Sequence, residues 1–175
     1  LLKLSVGNTV WDYSYNSKHL TENETLKVGT KSYAISNGYD RVGNLKTMQY
    51  GGAIVDFAPN VFGLPTKVAD STSYASQIQY HADGQLKTFT YGNGLKFSQL
   101  LNAEFKPYER AVQKGTVNRY AQRYQYDQSN NVTTITDLMQ SSQSVAMSYD
   151  GLDRLKAASG FWGAGVFDYD ETGNI

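Results

Sequence analysis

Short stretches of the chain alternate apolar and polar residues with a period of two, as in Val10-Trp11-Asp12-Tyr13-Ser14-Tyr15, Ile78-Gln79-Tyr80 and Leu95-Lys96-Phe97. That period is the signature of a half-buried strand. The alternation stops at Gly, Asn or Asp and then resumes. It also repeats: Tyr149-Asp150-Gly151-Leu152-Asp153-Arg154-Leu155 returns twenty residues later as Tyr169-Asp170-Glu171-Thr172-Gly173-Asn174-Ile175. Copies with the same spacing begin at Tyr39, Tyr80 and Tyr126.

Numbered from the tyrosine as position i, the copies carry Gly43, Gly84, Asn130, Asp153 and Gly173 at i+4. These residue types tolerate positive φ at least cost, so i+4 is expected to close a turn. An aliphatic residue follows at i+6: Leu45, Leu86, Val132, Leu155 and Ile175. Each unit therefore predicts a strand ending at the tyrosine, a tight turn, and a return strand starting at i+6. The acid after the tyrosine, at Asp40, Asp127, Asp150 and Asp170, suits a turn start, because its carboxylate accepts bonds from backbone N–H groups just ahead. His81 takes that place in the Tyr80 copy, which argues for a structural rather than a catalytic or metal-binding role.

Between these clear copies lie degenerate ones. Unit markers at Tyr15, Tyr39, Phe57, Tyr80, Phe105, Tyr126, Tyr149 and Tyr169 give about eight units of roughly 22 residues, a period typical of stacked repeat arrays. Asn37-Gly38 is expected to be a two-residue hairpin turn, with a second at Gly92-Asn93-Gly94. Lys18 to Glu24 reads as a loop, and Pro107 argues for an edge, bulge or loop. No linker interrupts the array, so residues 1–175 are expected to form one repeat domain. A single hairpin is marginal, so each unit must lay its apolar face on its neighbours. The tyrosine ring and the i+6 side chain are the expected inter-unit ladder.

Composition sharpens this picture. The 14 Tyr and 16 Gly favour twisted antiparallel sheet over helix. Basic and acidic residues balance at 16 each, leaving no bulk field to draw nucleic acid or anionic lipid. The absence of cysteine excludes disulfides and thiolate metal sites. No apolar run reaches the length of a membrane-spanning helix. The chain opens at Leu1 without Met and stops at Ile175 inside a repeat, which reads as a segment of a longer polypeptide.

The recurring Tyr-Asp followed by Gly and then Asn/Arg-Leu resembles the tyrosine-aspartate (YD) repeats of rearrangement-hotspot (Rhs) proteins. The carriers are Tyr39-Asp40-Arg41-Val42-Gly43-Asn44-Leu45 and the copies at Tyr149 and Tyr169, with Tyr91-Gly92-Asn93-Gly94 in support. Such repeats also occur in the C component of bacterial insecticidal toxin complexes and in teneurins. The resemblance spans residues 10–175. It implies an all-β fold of antiparallel strand-turn-strand units stacked into a spiralling sheet, a β-solenoid-like arc of a hollow shell. By the same token it implies a secreted or bacterial cell-surface protein whose repeats enclose a C-terminal toxin, the partners being the remaining repeats and that passenger. The self-cleaving segment that often closes bacterial shells has no counterpart here.

No nucleophile, base and orienting group come together in the sequence, so no enzyme activity and no cofactor are expected. A calcium site needs several oxygen ligands in one short loop, and Asp150 with Asp153 lacks a third acid. Gly160-Phe161-Trp162-Gly163-Ala164-Gly165 has no Lys-Ser/Thr for a phosphate loop and reads as a turn with packed aromatics. The competing reading is a cell-surface adhesion module whose exposed aromatics stack on carbohydrate. A third is self-association through unpaired sheet edges.

Overall fold

A computed structural model describes residues 2–175. It is all-β: β1 (Leu2–Val6), β2 (Thr9–Tyr15), β3 (Thr21–Val28), β4 (Lys31–Tyr39), β5 (Leu45–Tyr50), β6 (Ala53–Asp56), β7 (Val68–Ala69), β8 (Ser73–Tyr80), β9 (Leu86–Tyr91), β10 (Lys96–Leu101), β11 (Pro107–Lys114), β12 (Val117–Tyr126), β13 (Val132–Asp137), β14 (Val145–Tyr149), β15 (Leu155–Gly160) and β16 (Gly163–Val166). The strands follow one another in chain order in a 16-stranded antiparallel sheet, as hairpin-linked units require. The chain divides into two compact units, Leu1–Tyr80 with Phe89–Asn93, and His81–Thr88 with Gly94–Ile175.

In the first unit the register places Trp11 opposite Leu26, Leu26 opposite Tyr33, and Ile35 opposite Tyr50. Partners across a ladder share a face, so these residues form one apolar, aromatic surface with Tyr39. The other face is polar. There Asn23 bridges Ser14 (2.9 Å) and Ser36 (2.7 Å), and Lys27 lies 3.6 Å from Asp12. The second unit repeats the asymmetry: Phe97 opposes Val112, Tyr124 opposes Ile135 and Ile135 opposes Val145, while Glu109 and Arg123 pair at 2.8 Å on the reverse.

Within each unit, among the described residues, the strands touch their neighbours in the sheet and no second layer packs on either face. Among the described residues the buried apolar set is only Ala111 and Ala121, and no large side chain is fully buried. The accessible surface is 11816 Å², against roughly 8,500 Å² expected of a compact monomer of this mass.

Two kinds of turn alternate. At one end of the hairpins sit two-residue turns with glycine first, at Gly7, Gly29 and Gly115, all with φ between 57° and 59°. Gly29, not Asn37-Gly38, turns the chain between β3 and β4. Asn37 and Gly38 lie inside β4, where Gly38 pairs with Thr47 and a Cβ would meet the Thr47 hydroxyl. Close approach, rather than a turn, is what the glycine serves there. The segment expected as a loop from Lys18 is also shorter, since β3 starts at Thr21. Pro107 opens β11 at a register shift opposite Leu101, one of the positions in a sheet where a missing N–H is tolerated.

Candidate functional site

The other kind of turn recurs eight times among the described residues and builds the feature that joins unit to unit. Its first residue is Asn16, Asp40, Asn60, His81, Asn102, Asp127, Asp150 or Asp170. In each, the N–H of this residue donates to the carbonyl four residues ahead, and the N–H three residues ahead donates back to its carbonyl. In the Asp40 turn these bonds are 2.9 Å to Asn44 and 3.2 Å from Gly43. Position i+4 has positive φ in every copy: His19, Gly43, Gly63, Gly84, Phe105, Asn130, Asp153 and Gly173.

Two expected unit markers shift accordingly. Pro59 replaces Phe57, and Leu101 replaces Phe105, which is itself the left-handed residue of its turn. Asn60 with Gly63 copies the spacing of Asp40 with Gly43 and was a visible signal. Asn102 with Phe105 lacks it, because Phe105 is not a Gly, Asn or Asp that would mark a positive-φ position.

The turn-opening side chain holds its loop. Asp40 Oδ1 accepts from the N–H of Val42, Gly43 and Asn44 at 2.8–2.9 Å. Asp127 Oδ1 accepts from Asn131, Asp150 Oδ1 from Leu152 and Arg154, and Asp170 Oδ1 from Thr172 and Asn174. In the His81 copy Asp83 takes over, accepting from Gln85 at 3.0 Å. Of the aliphatic i+6 residues, Leu45, Leu86, Val132 and Leu155 each begin a return strand. Ile175 begins none and is exposed. Tyr169 likewise lies beyond the end of β16.

These bonds depress the carboxyls of Asp40, Asp150 and Asp170. Asp170 is lowered to about 2, chiefly by the Thr172 hydroxyl and then by the Asn174 N–H and amide. The Arg154 N–H leads in lowering Asp150. At Asp40 desolvation pushes upward, but the Asn44, Val42 and Gly43 donors outweigh it. A group with a depressed folded pKa stabilises fully above its unfolded value, about 3.9, and loses that contribution as pH falls through the folded value. The urea midpoint should therefore fall between about pH 4 and about pH 2, less steeply in Asp40→Asn/Asp150→Asn. Parallel slopes would remove these carboxylates as the source.

Successive turns touch through fixed positions, i+5 of one against i+4 of the next. Asn131 Nδ2 donates to Asp153 Oδ1 at 2.7 Å, Gln85 Nε2 donates to the Phe105 carbonyl at 2.7 Å, and the Lys106 ammonium donates to Asn130 Oδ1. Leu20 packs where a side chain on Gly43 would begin, and Asn44 does the same at Gly63. The Arg154 guanidinium covers the Tyr169 ring at 4.4 Å.

The marker tyrosines form the second link. Tyr39, Tyr80, Tyr126, Tyr149 and Tyr169 donate their hydroxyls to the carbonyls of Thr21, Pro65, Pro107, Val132 and Leu155 at 2.7–2.9 Å. Every acceptor is the i+6 residue of the preceding unit. Backbone pairing between adjacent units stops two residues short of the acceptor at four of the five, for example at Asn23 with Ser36 before Thr21, and at Glu109 with Arg123 before Pro107. The strands diverge there, and the tyrosine spans the gap and satisfies a carbonyl that the ladder no longer reaches. Where the marker is Leu101, Gln99 substitutes: its Nε2 donates to the Leu86 carbonyl at 3.2 Å. Sequence reasoning placed the tyrosines in the ladder but missed the hydroxyl bond and Gln99.

Among the described residues no cluster of three or more His, Cys, Asp or Glu is placed to hold a metal. His19 is the left-handed residue of the first turn, and His81 Nε2 bonds the Gln99 carbonyl at 2.9 Å. Phe161 and Trp162 form an edge-on pair, 5.2 Å between centroids, at the exposed tip of the last hairpin.

An unlayered antiparallel sheet whose hairpins are tied by stacked turns and tyrosine latches defines an all-β repeat protein. No protein-family model and no curated protein matches the chain. Solved structures do: a chain of a TcdB2-TccC3 crystal structure aligns with TM-score 0.77 and 17% identity, covering 86% of this chain. A TcdB2-TccC3-Cdc42 structure gives TM-score 0.78 at 17% identity over 87% of this chain. The Photorhabdus luminescens Tc holotoxin pore, with a substitution in TccC3, gives 0.76 at 16% over 87%. The chain spans 9% of the length of each of these. At such identity the likeness is one of fold.

Proposed function

We propose that this chain is a non-catalytic structural segment of a toxin-complex protein of the YD-repeat, Rhs type, and that its sheet forms part of a wall enclosing a C-terminal passenger. The observation that carries the reading is the unlayered sheet itself, apolar on one face and polar on the other. A wall between an enclosed chain and solvent needs those two faces, whereas a free-standing domain of this size would fold a second layer over the apolar one. The fold likeness to chains of TcdB2-TccC3 assemblies supports the same reading, as does the use of the repeated aspartates as turn acceptors rather than as converging catalytic groups. Secretion, or display at a bacterial surface, belongs to this proposal.

The test uses the parent polypeptide expressed to its natural C-terminus, treated with protease before denaturation. A C-terminal fragment that co-purifies and resists the protease is the expected result. An uncut chain with no protected segment would remove the enclosing role and turn attention to carbohydrate binding by the exposed aromatics.

A further inference from the structure

The apolar face of the second unit carries an arginine whose two anchors bear no charge. Arg110 in β11 shares this face with Phe97, Val112 and Tyr124, since Gln99 pairs with Arg110 across the ladder and Phe97 with Val112. Its Nε donates to Gln99 Oε1 at 2.7 Å. Gln99 is 5% exposed, and its amide is oriented by the bond from Nε2 to the Leu86 carbonyl, which leaves Oε1 facing the arginine. The guanidinium also lies 5.5 Å from the centroid of the Tyr124 ring. A buried amide and an aromatic ring thus hold the guanidinium, and neither contact engages its terminal Nη groups.

No carboxylate among the described residues pairs with those Nη groups. Glu109 is on the reverse face with Arg123, and Asp137 accepts from the N–H of Met139 and Gln140. Nearby, Tyr120 and Tyr124 both donate to Gln122 Oε1, at 2.6 and 3.1 Å. Tyr120 is pushed up to about 12 by desolvation and by the Tyr124 hydroxyl, so it supplies no negative charge at neutral pH. Beside the guanidinium lies a hollow of about 340 Å³ lined by Gln85, Leu86, Phe97, Gln99 and Arg110. That volume is in the range of small-ligand sites. A planar arginine fork held by its Nε matches the two oxygens of a carboxylate.

We infer that this hollow is a carboxylate-binding site, in which the Nη groups of Arg110 hold both oxygens and Leu86 and Phe97 cover the apolar body that carries them. The site stands independently of the enclosing role. The carboxylate comes either free, on a small organic acid, or as an acidic side chain of a polypeptide, and two probes separate these sources.

The chain is titrated calorimetrically with phenylacetate, with neutral phenylacetamide, and with a capped pentapeptide bearing one Glu between apolar residues. Saturable binding of at least one acidic probe is expected, with phenylacetamide at least tenfold weaker than phenylacetate. Arg110→Met keeps the stem over Tyr124 and should weaken binding at least tenfold. Arg110→Lys, which keeps the charge but loses the fork, should fall between, and Arg123→Met on the reverse face should change nothing. Urea midpoints establish that each variant is folded, and Arg110→Lys keeps the test decisive if Arg110→Met is not. Tighter binding of the peptide assigns the site to a polypeptide side chain, and tighter binding of phenylacetate to a free acid. The inference is overturned if neither acidic probe saturates, if phenylacetamide binds as well as phenylacetate, or if folded Arg110 variants bind like the parent.

Discussion

Gly92→Ala should lower stability by about 3 kcal/mol, at the upper end of the range for overpacking. The added Cβ would be built onto the carbonyl oxygen of Ser73, at the start of β8. Backbone cannot rotate away as a side chain can, so relief requires the end of β9 to move off β8. That movement sacrifices the 2.8 Å bond from the Gly92 N–H to the Tyr74 carbonyl, worth about 1 kcal/mol by itself. The control is Gly84→Ala, where a Cβ meets nothing and only the strain of φ +86° remains, at roughly 1 kcal/mol. Urea midpoints of the two variants decide the matter. Equal losses would mean that close approach at Gly92 is not what requires glycine.

The second large effect is expected at a latch. Tyr149→Ala should cost roughly 2 to 3 kcal/mol, from the loss of a half-buried ring and the stranding of the Val132 carbonyl that its hydroxyl reaches at 2.9 Å. A fully buried ring would imply roughly 3 to 5 kcal/mol. The sheet has no second layer to bury it completely, which lowers the figure. Tyr149→Phe separates the two contributions: it keeps the ring and removes only the hydroxyl, for about 1 kcal/mol. A phenylalanine variant as stable as the parent would show that the ring alone spans the gap between diverging strands.

The contrast between turns and glycines shows where reading the sequence succeeds. Asp40 with Gly43, or Asp170 with Gly173, carries its structure locally: an acceptor side chain, two intervening residues, and a position that must have positive φ. Any chain segment with those properties closes the same loop, so the turn is visible without knowing its neighbours. Phe105 and His19 occupy the same left-handed position in spite of their type, because the ladders on either side and the stacked turn next door impose it. No local signal marks them, and the unit marker near Phe105 was accordingly misplaced by four residues, from Leu101. Asn37-Gly38 fails in the opposite sense, since a favourable turn dipeptide is overruled by the nine-residue strand β4, paired on both sides at Ile35 and Ser36 and with β5 at Asn37 and Gly38. Its glycine answers to Thr47 on the adjacent strand, a partner that sequence proximity does not reveal.

The repeat, its antiparallel hairpins and the turn residues were determined by the sequence alone, because period-two alternation and turn chemistry act over a few residues and repeat about every 22. Three features were decided only by tertiary structure. Tyrosine hydroxyls reach carbonyls one unit back because adjacent strands part near the turns. Gln99 takes the place of the missing hydroxyl at Leu101 and fixes Arg110 as it does so. The apolar face remains uncovered because the units extend the sheet sideways rather than fold over it. Each depends on where one unit lies against the next, a distance of about 20 residues along the chain but only one strand spacing, about 4.8 Å, across the sheet.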